Sequence, residues 1–340
     1  MSAPLLEIRG LTRTFGGGRR WFRPNQPGVQ AIQGIDLDVM RGETLGIVGE
    51  SGCGKSTLAR LLVGLDTPSN GTIHYAGDDL QQLRSQDRHA LARRIQYVFQ
   101  DPLSSLNPRK RIRDILAAPL YYLRGLEGQA LERRLGELME MVNLRPEFIS
   151  RYPHEFSGGQ AQRIGIARAL AGDPELLVLD EPVSALDVSI QAQVLQLLRR
   201  LKDELDLTYL FISHDLSVVE TISDRIAVMY FGRIIEQAPT YRLFRSPSHP
   251  YTRVLLDSAP IPGGPPIQAE AGTAELPDPL APPPGCAFAP RCSRAQEDCR
   301  QAVPPLDNMS PDGDHRAACI HPIKETWQRI VTQSPRESRG

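Results

Sequence analysis

Nine consecutive residues, Gly49-Glu50-Ser51-Gly52-Cys53-Gly54-Lys55-Ser56-Thr57, follow the pattern G-x-x-x-x-G-K-[S/T]. An apolar run, Thr44–Val48, leads into them and a helical pattern, Ser56–Val63, leads out. That is the setting in which this pattern cradles phosphate. Gly49, Ser51, Gly52 and Gly54 let backbone N–H groups turn inward, and the helix start adds positive partial charge. Lys55 is a point charge for the outer phosphates of a nucleotide, and Ser56 and Thr57 bring hydroxyls to the same place, that of Ser56 aimed at Mg²⁺. Cys53 fills a variable slot and reads as a small packing residue.

Two carboxylates, Asp180 and Glu181, end a second apolar run, Leu176–Leu179. A strand end of an α/β sheet is where ligands sit. Asp180 suits a Mg²⁺ contact through water, and Glu181 suits polarising a water for attack on phosphorus. Alone, the pair reads equally well as a solvated turn. His214 follows the run Tyr209–Ser213, where it could reach the terminal phosphate, although a lone histidine after a strand is usually structural. Gln100 closes Ile95–Gln100, where an amide can touch both Mg²⁺ and the attacking water.

A second anion nest stands apart from the first. Ser157, Gly158 and Gly159 lie just before a helical pattern, Gln160–Leu170, and a helix start with small residues binds anions. Four cysteines then crowd together: Cys286, Cys292, Cys299 and Cys319, spaced C-x₅-C-x₆-C-x₁₉-C. In a reducing compartment such a cluster suggests a metal rather than disulfides. The spacing lacks the close pairs of structural zinc sites and differs from the plant-type iron–sulfur run, so it does not choose the metal. A segment of about 40 residues rarely folds alone without a staple, which favours a bound metal. His315 and His321, near Cys319, read as exposed bystanders first and ligands second.

The elements that must position these groups alternate between two kinds. Apolar runs predict strands at Leu6–Arg9, Thr44–Val48, Ile95–Gln100, Leu176–Leu179, Tyr209–Ser213 and Arg225–Met229. Helical spacing lies between several of them, as at Ile190–Lys202, which argues for an α/β fold. Residues 101–160 are poor in strand signals, contain a helical pattern at Leu131–Val142, and read as a helical insertion that begins at a hinge, Gln100. Gly16–Val29 reads as an exposed loop and Pro260–Gly285 as a linker, with a polar, disordered end at Thr332–Gly340. The domains expected are thus 1–257, a linker 258–285, a cysteine-rich metal-binding extension 286–325, and a tail 326–340.

The net charge of −1 predicts neither a nucleic-acid nor a membrane-surface binder. No stretch approaches the roughly 18 apolar residues of a membrane span, and the first residues lack the pattern of a signal peptide. A cytosolic location is expected, with any membrane contact made through a partner.

In combination the motifs resemble the ATPases of ABC transporters. Phe156-Ser157-Gly158-Gly159-Gln160 is similar to their LSGGQ signature, and Walker A, Q-loop, Walker B, D-loop (Ser184–Asp187) and H-loop (His214) stand in the family's order over roughly Leu5–Gln237. The resemblance implies a P-loop NTPase fold with a helical insertion and a cysteine-rich C-terminal extension. It implies ATP and Mg²⁺ as ligands, Mg²⁺ contacts from Ser56, Gln100 and Asp180, and Glu181 as the base, with His214 bridging it to the terminal phosphate. It further implies a head-to-tail pair in which each ATP lies between one subunit's Walker A and the other's signature, with Ser157, Gly158, Gly159, Gln160 and Asp187 facing the partner's nucleotide. An aromatic before Walker A stacks on adenine: Phe15 by position, with Trp21 and Phe22 competing. FQDPLSSLNPR, RYPHEFSGGQ, SPSHPYT and the Pro- and Cys-rich tail resemble the F-type subunits of dipeptide and oligopeptide importers. That narrower likeness implies a D-type ATPase partner, two permease subunits, an extracytoplasmic peptide-binding protein and no nucleic acid. It places the chain on the cytoplasmic face of the membrane and implies a [4Fe–4S] cluster on the cysteines, with zinc the alternative. A relative importing nickel, glutathione or a sugar stays open, while a soluble ABC protein of translation or DNA repair, or an exporter ATPase, fits less well.

Overall fold

The computed structural model describes residues 3–16, 28–258 and 277–324. Trp21, Phe22, most of the Gly16–Val29 loop, the linker from 259 to 276 and the tail from 325 on lie outside the described residues. Twelve strands are described: β1 (Leu6–Phe15), β2 (Val29–Val39), β3 (Thr44–Val48), β4 (Asn70–Tyr75), β5 (Asp78–Asp79), β6 (Ile95–Val98), β7 (Leu176–Asp180), β8 (Thr208–Ser213), β9 (Arg225–Tyr230), β10 (Arg233–Pro239), β11 (Asp307–Asn308) and β12 (Arg316–Ala317). The α-helices are α1 (Lys55–Leu62), α2 (Leu80–Gln86), α3 (Arg88–Arg94), α4 (Ile112–Arg124), α5 (Gly128–Met141), α6 (Gly158–Leu170), α7 (Val188–Leu205), α8 (Leu216–Ile222), α9 (Thr240–Arg245) and α10 (Pro250–Asp257).

Two sheets organise these elements. The larger runs β11-β12-β10-β9-β3-β8-β7-β6 and the smaller runs β2-β1-β4-β5. From β9 to β6 the larger sheet is parallel, so Val48, Asp180, Ser213 and Val98 end side by side at one edge. Its central strands are buried on both faces, as near-continuous apolar runs should be. Alternate side chains feed two cores. Leu177, Leu179, Tyr209 and Phe211 pack with α4 to α8, while Leu176, Val178, Leu210 and Ile212 pack with α1 and the smaller sheet.

Between β6 and β7 the described chain adds only helical elements: α4, α5, two short 3₁₀ turns and α6. Two sequence expectations are corrected here. The strand beginning at Ile95 stops at Val98, so Gln100 lies in a bend beyond it. Val29 starts β2 rather than ending a loop, because its strand pairs with β1.

The segment after 277 builds no separate core. β12 pairs with β10 at the edge of the large sheet, and Phe288 and Ala318 belong to the main apolar cluster. Buried Glu236 ties the pieces together: its carboxylate accepts from the backbone N–H of Ser248 (2.6 Å) and His249 (2.9 Å), and pairs with His315 Nε2 (2.7 Å). His315 is therefore a buried structural group, not an exposed bystander.

Candidate active site

The phosphate-loop pattern folds as a tight turn between β3 and α1, and two of its glycines are required by space. A Cβ on Gly49 would stand 2.1 Å from the Met229 carbonyl oxygen, and one on Gly54 2.5 Å from that of Ala31. Gly54 also has φ +108°, a conformation open to glycine and strained for other residues. The β9–β10 turn braces the loop from outside, with Gly232 N–H donating to the Cys53 carbonyl (2.9 Å) and Gln33 N–H to the Gly232 carbonyl (2.8 Å). Lys55 is buried and donates to the carbonyls of Gly49 (2.6 Å) and Glu50 (2.9 Å). Burial raises the Cys53 thiol pKa, in keeping with a packing role.

A cavity of about 580 Å³ opens over this loop. Ser51, Gly52, Gly54, Lys55, Ser56, Thr57, Gln100, Glu181 and His214 all line it, with Ala31 of β2 and Phe231 and Gly232 of the β9–β10 turn. The phosphate loop, Gln100, Glu181 and His214, from four separate stretches, thus meet at the end of the parallel sheet. Glu181 is held at both oxygens: Gln100 Nε2 donates to Oε2 (2.8 Å) and His214 Nδ1 lies 3.2 Å from Oε1. Its backbone adopts φ +48°, an uncommon conformation for a non-glycine residue and typical of strained functional positions.

Asp180 sits behind the cavity, 4% exposed. Ser56 Oγ donates to its Oδ1 (3.3 Å) and Tyr97 Oη to its Oδ2 (2.5 Å). Tyr97 was not among the residues expected from the sequence. Burial and the Asp180 carboxylate together push its phenol pKa far up, so it stays a donor. Its only sequence signal is a hydroxyl in the short strand that leads to Gln100.

Other candidates lie apart from this cavity. Phe15 ends β1 opposite Val29, a cavity residue, and the Arg13 guanidinium stands 4.5 Å above its ring. Ser157 and Gln160 form a reciprocal cap at the start of α6, N–H of each accepted by the side chain of the other. Neither Ser157, Gly158, Gly159 nor Gln160 lines the cavity, and Asp187, which immediately precedes α7, does not either.

Cys286, Cys292, Cys299 and Cys319 line one small pocket together with His249 and His321, and none is in a disulfide. Burial raises the thiol pKa of Cys286 and Cys292, and that of Cys319 to about 11. His321 is half-buried rather than exposed. Its Nε2 lies 3.0 Å from both carboxylate oxygens of Asp298, and a ligand atom of each of Asp298, Cys299 and His321 falls within 4.8 Å of the others.

Comparison with known proteins adds to this geometry. Residues 32–184 match the ABC transporter family, and residues 235–299 match the oligopeptide/dipeptide transporter C-terminal region. The chain is 48% identical to the dipeptide transport ATP-binding protein DppF of Haemophilus influenzae, across 94% of this chain and 97% of that one. It is 47% identical to the oligopeptide transport ATP-binding protein OppF of Salmonella typhimurium, across 93% and 96%. Among solved structures it resembles the post-hydrolysis dimer of the ATP-binding cassette MJ0796 bound to ADP and Pi, at 29% identity and TM-score 0.60, across 69% of this chain and 98% of that one.

Proposed function

The chain belongs to the ATP-binding subunits of ABC transporters of the oligopeptide and dipeptide type, an ATPase family, and from this premise we propose that it powers peptide import by hydrolysing ATP in the cavity over Lys55. The observation that carries the proposal is the convergence of Lys55, Ser56, Gln100, Glu181 and His214 on one cavity. Lys55 and the loop N–H groups bind the phosphates. Ser56, Gln100 and Asp180 would hold Mg²⁺, and the facing of Ser56 Oγ toward the buried Asp180 carboxylate suits that ion. When bound, Mg²⁺ supplies charge neutralisation on the phosphate oxygens. Glu181, clamped by Gln100 and His214, orients the attacking water and takes its proton. Phe15 is assigned to the adenine ring.

The signature residues Ser157–Gln160 point to a partner. They form an anion-binding helix start that does not line this chain's cavity, so we assign them, with Asp187, to the nucleotide of a second ATPase subunit, a D-type relative. Leu103, Tyr121 and Tyr122, exposed in the helical stretch after Gln100, are assigned to two permease subunits. No helix among the described residues is long and apolar enough to cross a membrane; the chain is placed on the cytoplasmic face through those permeases, with an extracytoplasmic peptide-binding protein on the other side. Closure of the ATPase pair on ATP drives the permeases, and hydrolysis reopens it.

The four cysteines are assigned to a metal group. A zinc held by four thiolates at about 2.3 Å would draw the sulfurs close together. Among the described residues, a ligand atom from each of Asp298, Cys299 and His321 lies within 4.8 Å of the others. Four thiols lining one pocket offer a complete ligand set for a [4Fe–4S] cluster, with zinc the alternative. Its role is structural.

The proposal is tested by deleting the gene and measuring uptake of labelled di- and oligopeptides, with complementation by wild type or Lys55→Ala. Peptide uptake should be lost and restored by wild type alone. Normal peptide uptake alongside lost nickel, glutathione or sugar uptake would transfer the assignment to another solute.

A further inference from the structure

Glu50, the second residue of the phosphate loop, is held from a part of the chain 241 residues away. Arg291 Nη1 donates to its Oε2 and Nη2 to its Oε1, both at 2.9 Å. This is a parallel two-point fork, the strongest common form of ion pair. The Arg291 side chain is 12% exposed and that of Glu50 28%, so water screens the pair only in part. The backbone of the same residue is held too: Glu50 N–H donates to Tyr251 Oη (2.9 Å), and its carbonyl accepts from Lys55 Nζ (2.9 Å). Tyr230, Tyr251 and Phe288 pack against one another with ring centroids 4.5 to 5.5 Å apart, and the guanidinium lies over Phe288 (5.6 Å) and Tyr230 (6.0 Å). Arg291 directly precedes Cys292, so the cysteine-bearing segment grips the phosphate loop from behind.

An unpaired carboxylate on the phosphate loop opposes anion binding there, and pairing it with a cation removes that repulsion. The charge of Glu50 lies on the loop itself, next to the cavity-lining Ser51. We propose that Arg291 is a positioning residue for ATP binding: it fixes the entry of the phosphate loop through Glu50 and cancels that carboxylate, so the ordered cysteine segment sets the affinity of the loop for ATP. The inference rests on the reading of this loop as the ATP site.

The test uses the full chain and measures the Kd of Mg²⁺ with a slowly hydrolysed ATP analogue, and KM and kcat for ATP. Arg291→Ala should weaken binding about tenfold, or about 1.4 kcal/mol, and raise KM with kcat within about twofold, the pattern of lost uniform binding. Adding Glu50→Gln to Arg291→Ala should recover most of the affinity, because the orphaned carboxylate causes the loss. A purely structural pair would show no such rescue. Arg291→Lys keeps the charge without the fork, and should weaken binding about threefold; it carries the test if the alanine variant does not fold. Affinity within about twofold of wild type in both Arg291 variants, or a double variant as weak as Arg291→Ala, overturns the proposal. Lys55→Ala separates the two readings. If it abolishes binding while the Arg291 variants bind normally, only the role of Arg291 falls. If it too binds normally, the phosphate-loop reading falls with it.

Discussion

Tyr97 gives its hydroxyl to Asp180 Oδ2 at 2.5 Å, and Ser56 takes up the other oxygen. Tyr97→Phe removes one bond to a buried carboxylate, worth about 1 to 2 kcal/mol. The expected outcome is a rise of roughly five- to thirtyfold in the Mg²⁺ concentration for half-maximal ATPase activity; an unchanged Mg²⁺ titration would remove Tyr97 from the site. His249 offers a pH test. Burial depresses its pKa from 6.5 to about 4, against the opposing pull of Glu236. The native state keeps it neutral, so as pH falls below 6.5 the unfolded chain takes up a proton that the native chain refuses. Its contribution to stability is whole above pH 6.5 and drains away toward pH 4, with a slope of at most about 1.4 kcal/mol per pH unit. Urea unfolding at pH 7, 6 and 5 should show this slope, and His249→Asn, which keeps an acceptor for the Tyr251 N–H, should flatten it. Lys55, Asp180, Glu181 and His214 were legible because fixed spacing and strand ends announce them. Tyr97 was not, since its partner is set by the β6–β7 pairing, and His315 was misread because nothing near it in sequence foretells Glu236.

At the scale of elements, α6 and α7 meet closely where the signature lies. A Cβ on Gly159 would stand 2.4 Å from Ile190 Cγ2, so glycine lets the start of α6 approach α7. Ser157→Arg places a long cation at this helix start and should impair hydrolysis of the ATP held by the partner's phosphate loop, while leaving binding to this chain's Lys55 site intact. Crosslinking of labelled ATP to each subunit checks it; loss confined to this chain's own nucleotide contradicts the head-to-tail pairing. The parallel strands were readable as apolar runs, because burial on both faces leaves no other composition. The strands β2, β4 and β10 were missed: Gly34 and Gly71, both at positive φ, interrupt or open the pattern in the first two. Helix α4 was masked by Pro119 inside it.

For the whole molecule, the cysteine segment is less independent than its length suggested, since β12 extends the main sheet and Phe288 enters the main core. It therefore draws stability from that core as well as from any metal. Anaerobically prepared protein should carry about four irons per chain if the group is [4Fe–4S], and Cys292→Ser should lose them; neither iron nor zinc in iron-replete, anaerobic protein contradicts a metal site. The segment's attachment to Glu50 joins this part of the molecule to the ATPase cavity, an arrangement no local motif could reveal. Hydrolysis at Glu181 is tested most directly by ATP turnover of the assembled transporter carrying Glu181→Gln in this chain. ATP should still bind and the ATPase pair should be trapped closed, with turnover lowered roughly 10²- to 10⁴-fold, the range for loss of a general base; turnover equal to wild type would contradict it.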